Sequence, residues 1–317
     1  MIMNRHRSFI CGIKGSKLTN AEIKFLKKYK PWGIILFSRN IKSIQQTQIL
    51  TSSIKKIFKN ENFPILIDEE GGRVSRLRNF IDNSIFTAKY FGDLYKLNNK
   101  KFEEYFSVYV KQISYLLRTL GININSVPVL DIRRSKSHNI IGDRSYSSDK
   151  KVVSKIGNIC IEKFHNNRIA TIIKHIPGHG LAKSDSHKKL PVINKKIDYL
   201  LKNDFQTFKN KRSLLAMTAH LLYKNIDSAD AATHSIKIIK LIRNKMGYKN
   251  LIITDDLSMK SLKYSLQDNV KKSFLAGCNL VLHCNGNLKE MLIVAKNSPK
   301  IDKFIIKKTS QLSHIIS

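Results

Sequence analysis

The sequence predicts one (β/α)₈ barrel, on two observations. Short apolar, β-branched runs alternate with longer amphipathic stretches about eight times over 317 residues, and polar clusters fall where the apolar runs end. Such alternation implies right-handed βαβ units and a parallel sheet. Eight repeats in a chain of this length favour closure into a barrel over an open sheet.

The candidate strands are 9–13, 33–37, 65–68, 122–130, 170–175, 214–218, 251–254 and 280–282. Helix-like stretches between them include 20–29, 44–58, 103–120, 151–166, 197–208, 235–246 and 258–276. The KFLKKYK run at 24–30 has the spacing of an amphipathic helix with a solvated basic face. No linker, low-complexity tract or composition shift divides the chain, so 1–317 is expected to be a single catalytic barrel domain.

Hydrophobic residues make up 42% of the chain, enough for a large core. The net charge of +34 invites a polyanion partner. The lysines, however, are spread along the whole chain and come with abundant Asn and Ile, the mark of an AT-rich coding bias. No nucleic-acid motif accompanies them. Cys11, Cys160, Cys278 and Cys284 form no CxxC pair and read as reduced thiols of a cytosolic protein. The N-terminus lacks a signal-type apolar segment, and no run approaches the roughly 18 apolar residues of a membrane helix. A cytoplasmic location is therefore expected.

In (β/α)₈ barrels chemistry collects at the C-terminal strand ends. Six polar clusters fall there: 68–73, Asp131, Lys174 with His175, His220, Asp255 with Asp256, and His283 with Asn285. In LIITDDLSM, 251–259, a strand ends in two carboxylates and a helix is expected to follow. Asp256 is the better N-cap, which leaves Asp255 toward the barrel mouth, where a carboxylate can attack an anomeric carbon. A capping or turn role for Asp255 stays open at this point.

KHIPGHG, 174–180, leads into SDSH, 184–187. His175 and His179 have the i, i+4 spacing of a zinc helix, but Pro177 and Gly178 break the helix, leaving a loop metal site as one alternative. The other uses Asp185 and His187. Two apart on an extended segment, they share a face, and the carboxylate can orient the imidazole and raise its pKa. In DEEGGRVSR, 68–76, the glycine pair permits a tight turn, Asp68 offers acceptors for sugar hydroxyls, and Arg73 and Arg76 offer donors. A solvated strand-to-helix turn is the plainer alternative.

Taken together, these segments resemble glycoside hydrolase family 3, specifically its bacterial single-domain β-N-acetylhexosaminidases of cell-wall recycling. The matching pieces are GIILFSRN at 33–40, 68–76, IGDRSY at 141–146, 174–180 with DSH at 185–187, MTAH at 217–220, TDDLSM at 254–259 and AGC at 276–278. They run in family order across nearly the whole chain. The resemblance implies Asp255 as nucleophile, His187 as general acid/base and Asp185 as its partner. It implies that Asp68, Arg76, Arg144, Lys174 and His175 hold an N-acetylglucosamine ring, with retention of configuration and no metal or other cofactor. The chain departs from the family pattern at Glu69, where glutamine is frequent, at Asp143, and along 228–240. Glu69 is expected to alter the charge around Asp68.

The resulting expectation is an exo-β-N-acetylglucosaminidase acting on muropeptide fragments in which N-acetylglucosamine is linked to 1,6-anhydro-N-acetylmuramic acid. Its partners would be that saccharide alone, with no specific nucleic acid, no membrane insertion and a monomeric state. The rival enzyme readings are a β-glucosidase or glycoside phosphorylase of the same fold. The rival outside enzymology is a basic nucleic-acid-binding protein.

Overall fold

Eight parallel strands close into a barrel, in the ring order β1-β2-β3-β4-β5-β7-β9-β10. The structure, a computed structural model, describes residues 5–135, 138–186 and 189–317. The barrel strands are β1 Arg7–Gly12, β2 Pro31–Leu36, β3 Ile65–Ile67, β4 Ile124–Asn125, β5 Ala170–Ile176, β7 Leu215–Thr218, β9 Leu251–Asp256 and β10 Leu280–His283. Two further short strands, β6 Val192–Ile193 and β8 Leu222–Tyr223, pair with each other outside the ring. The expected fold class holds, and each of the eight expected strands has its counterpart.

The strand period of two sorts side chains into two cores. Ile10, Ile35, Leu66, Ile172, Met217, Ile253 and Leu282 belong to the cluster filling the barrel interior. Their neighbours Phe9, Ile34, Ile67, Ile173, Ala216, Ile252 and Val281 pack outward with the helices. Helix Lys303–Ile316 contributes Ile305, Leu312 and Ile316 to the interior cluster, closing the end of the barrel away from the strand tips. Trp32, fully buried, donates Nε1–H to Thr309 Oγ1 of this helix at 2.8 Å. Without that bond the buried indole N–H would cost about 1–3 kcal/mol.

The helices begin where short polar side chains cap them. Thr19 and Glu22 form a reciprocal capping box at Asn20–Tyr29, and Ser43 caps Ile44–Phe58. Two expectations fail for local reasons. The fourth strand, expected over 122–130, pairs regularly only at Ile124–Asn125. Pro128 has no N–H for a ladder, and pairing resumes through Val129 and Leu130 against Lys174. The helix expected from 258 starts only at Leu266, capped by Ser265, because turns occupy the start of that stretch. Asp256 is accordingly no helix cap. It accepts Ser258 N–H at 3.0 Å, Ser258 Oγ–H at 2.7 Å and Cys284 N–H at 3.1 Å.

No helix among the described residues is long and apolar enough to cross a membrane. All four cysteines are free thiols.

Candidate active site

The parity that fills the barrel also aims its last polar residues. Asp68 continues the inward row of Leu66, Lys174 that of Ala170 and Ile172, and Asp255 that of Leu251 and Ile253. All three line one cleft at the strand tips, with Glu70, Arg73, Arg76, Arg144, His175, His179 and Ser186. Asp256, one residue on, has the outward parity and ties β9 to β10 instead. The cleft encloses about 170 Å³, below the roughly 300–1,000 Å³ of drug-sized sites and suited to one small ring. Larger clefts lie elsewhere among the described residues, one lined by Glu162, His165 and Arg212, with fewer opposed charges.

One wall is an alternating charge network. Lys174 Nζ lies 2.7 Å from Asp68 Oδ1 and 2.7 Å from Glu70 Oε1. Arg144, raised on the short turn Gly142–Arg144, grips Glu70 with both edges of its fork, at 2.7 and 2.8 Å. Arg76 approaches Asp68 at 3.9 Å. Burial opposes ionisation of Asp68 and Glu70, but the neighbouring cations outweigh it and hold both carboxyls below their ordinary range. Burial likewise disfavours charged Lys174, and Asp68 and Glu70 reverse that, so its ammonium persists. The wall thus offers fixed donors and acceptors to a polyhydroxylated ligand without a large net charge.

The loop after β3 is built for close approach. Gly71 has φ +86°, and a Cβ there would meet Phe86 O at 2.4 Å. Arg73 ties this loop to the one after β4 through Asp143 at 2.7 Å and Ile140 O at 2.8 Å. Glu69 does not alter the charge of the cleft as expected. It turns away into the loop, accepting Arg76 N–H at 2.6 Å, Leu77 N–H at 3.1 Å and Asn83 Nδ2–H at 2.7 Å. Burial raises its carboxyl pKa, against the pull of these donors.

The opposite wall rests on Asp131. This buried carboxylate lies 2.7 Å from His175 Nδ1 and accepts His179 N–H at 2.6 Å. Burial would raise its pKa, but His175 prevails and holds it low, so Nδ1 carries the proton and donates. His179 Nε2 pairs with Ser186 Oγ at 3.0 Å. Among the described residues no group of three His, Cys, Asp or Glu is placed to hold a metal ion.

Of the residues singled out in the sequence, Asp68, Arg76, Arg144, Lys174, His175 and Asp255 meet in the cleft. Asp185 is half-buried on the segment between His179 and Ser186, which forms turns and bends, not the expected extended run. His187 lies outside the described residues. His220 sits behind the site, with Nδ1 on Thr233 Oγ1 at 2.8 Å and Nε2 on Asp256 O at 3.1 Å. His283 turns to Glu290 at 2.9 Å, away from the cleft. Sequence reasoning missed the bracing roles of Glu70 and Asp131. For Glu70 a signal existed: it stands two positions after Asp68, on the same side of the chain.

The model of the glycosyl hydrolase family 3 N-terminal domain matches residues 7–310. A β-hexosaminidase of Methylobacillus flagellatus is 30% identical over 278 residues, covering 86% of this chain and 79% of its own. One from Haemophilus influenzae is 31% identical, covering 88% and 79%. Among solved structures, a family 3 β-N-acetylglucosaminidase from Paenibacillus superposes with TM-score 0.84 at 25% identity over 99% of this chain. This chain spans 61% of that enzyme's length. NagZ from Neisseria gonorrhoeae, solved with N-trifluoroacetyl-D-glucosamine, superposes with TM-score 0.79 at 24% identity over 99% of both chains, a likeness of fold.

Proposed function

The chain belongs to glycosyl hydrolase family 3, and from that premise we propose that it is a retaining, exo-acting β-N-acetylglucosaminidase working as one catalytic domain. Its kinship with the β-hexosaminidases makes it a glycoside hydrolase of the β-N-acetylhexosaminidase type. One observation supports the mechanism above all: Asp255 faces the same small cleft as the Asp68–Lys174–Glu70–Arg144 network.

In this reading Asp68, Arg76, Arg144, Lys174 and His175 hold the terminal sugar by charge-assisted bonds to its hydroxyl and acetamido groups. Asp255 attacks C1 while the C1–O bond to the aglycone breaks, and His187 delivers its proton to the departing oxygen. Asp185 orients and charges that imidazole. Water then gives a proton back to His187 as its oxygen displaces Asp255 from C1, releasing the sugar with its original configuration. The histidine takes the place of the second carboxylate usual in retaining glycosidases.

The resemblance extends the proposal to muropeptide fragments carrying N-acetylglucosamine on 1,6-anhydro-N-acetylmuramic acid, met in the cytoplasm during cell-wall recycling. The decisive assay compares a chromogenic β-N-acetylglucosaminide with the matching β-glucoside, with and without phosphate. Preferred, phosphate-independent cleavage of the former supports the reading. Preference for the glucoside, or a rate that requires phosphate, overturns it.

A further inference from the structure

We propose that His179 is a positioning residue that acts through Ser186 to fix at the cleft the segment that runs from Asp185 to Ser186. The inference rests on the acid–base assignment above and names a device that would make that pair effective.

Ser186 stands in sequence between the two members of the pair. Its side chain is turned inward and 4% exposed, whereas Lys183 is exposed and Asp185 half-buried. The inward contact is Ser186 Oγ on His179 Nε2, at 3.0 Å. His179 is a firm anchor for it. Its own N–H is held by Asp131, and its carbonyl accepts Ala182 N–H at 3.1 Å. The carbonyl before it, of Gly178, accepts the Tyr223 hydroxyl. The residue after it, Gly180, lies so close to the β4 side that a Cβ would meet Ile132 O at 2.2 Å. The chain from 178 to 180 is therefore fastened to the barrel, and the imidazole bridges from it across six residues of turns to Ser186.

The ring suits a fixed neutral strut. Burial, with His175 nearby, pushes its pKa down to about 4, so it carries one proton at neutral pH. Its Nδ1 is buried. Either neutral tautomer keeps the tie, Nε2–H donating to Ser186 Oγ or bare Nε2 accepting from its hydroxyl. Asp131 fastens His175 and His179 together, so the sugar-facing wall and the acid–base segment share one reference point.

Such a tie matters because proton transfer needs its partners within about 2.6–3.2 Å, and displacement by ~1 Å can cost ~100-fold. Losing it should harm protonation of the leaving group and spare the hold on the sugar.

The test measures kcat and KM for Ser186→Ala, His179→Asn and the double variant on aryl β-N-acetylglucosaminides of graded leaving-group acidity, with His187→Ala alongside. Ser186→Ala removes one hydroxyl from a loop and keeps the test valid should His179→Asn fold poorly. Ser186→Thr, which keeps Oγ, should restore the rate. The expected result is a ~10- to 100-fold fall in kcat/KM on the poorest leaving groups, little change on the most activated, and unchanged KM. The double variant should be no worse than the poorer single one. A uniform loss across the series, or a rise in KM alone, overturns the proposal and makes His179 a sugar contact or a structural residue. A His187→Ala enzyme without leaving-group dependence overturns the acid–base assignment and this inference with it. A normal His187→Ala result beside a flat Ser186→Ala series overturns the inference alone.

Discussion

Asp131 holds two histidines of the cleft at once, its Oδ2 2.7 Å from His175 Nδ1 and its Oδ1 2.6 Å from the backbone N–H of His179. Asp131→Asn keeps the shape but replaces one acceptor with an NH₂ that repels a protonated Nδ1. The His175 ring should switch tautomer, and kcat/KM should fall about 10- to 100-fold, the scale of one hydrogen bond to a charged group. Kinetics paired with ¹⁵N-histidine NMR check this. An unchanged His175 tautomer together with wild-type kcat/KM would remove Asp131 from the support of the site.

Asp255 and Asp256 should separate cleanly on substitution, because strand parity sends their side chains to opposite sides. Asp255→Ala should lower kcat by several orders of magnitude. Asp256→Asn loses part of a turn that accepts from Ser258 and Cys284, and should cost about 1–2 kcal/mol of stability. Trapping with a mechanism-based fluorosugar, followed by peptide mass spectrometry, locates the nucleophile. A label on Asp256 would reverse the assignment.

Glu70 joins Lys174 and Arg144, and neither cation keeps its balance without it. Glu70→Ala leaves two buried positive charges short of a partner and should destabilise the protein by about 3–5 kcal/mol. Glu70→Gln retains the acceptor oxygen, so it should fold better yet show a raised KM. Lys174→Met should raise KM and lower kcat/KM, and should also lower the melting temperature, because Asp68 and Glu70 lose their shared buried partner. Thermal melts and Michaelis kinetics on the three variants decide the matter. A Glu70→Ala protein as stable as the wild type would show that the network is not coupled as described.

These tests also mark what sequence could convey. Strand positions were legible because each apolar run has its own local period, and the same period aims Asp68, Lys174 and Asp255 inward. The fourth strand reads as continuous because hydrophobicity runs on through Pro128, while the hydrogen-bond ladder is interrupted there. TDDLSM reads as a strand-to-helix junction, yet Asp256 accepts within a turn and from Cys284 N–H, and the helix begins only at Leu266. The pairings of Glu70 with Arg144 and of Asp131 with His175 join residues 74 and 44 apart. Nothing in either local segment announces them. Closure of the barrel creates both.

Acid should weaken this fold in two stages, with signs set by the direction of each shift. Burial holds His179 and His234 down to about 4 in the folded protein, and lowers His165 as well. Between about pH 6.5 and 4 the unfolded chain therefore takes up protons that the native rings refuse. Stability is full above pH 6.5 and declines through that window, by at most about 3 kcal/mol for each of His179 and His234. Asp68, Glu70 and Asp131 titrate below their ordinary values, so their contribution is intact above about pH 4.5 and is lost only as the pH falls further. Glu69 and Asp204 run the other way. Burial raises both, so their protonation favours the native state on acidification and softens the decline. Urea midpoints measured from pH 8 to 4 should stay level to about 6.5 and then fall, and His234→Gln should flatten the first stage. Midpoints unchanged between pH 7 and 5 would mean that the buried imidazoles already bind protons in the native protein.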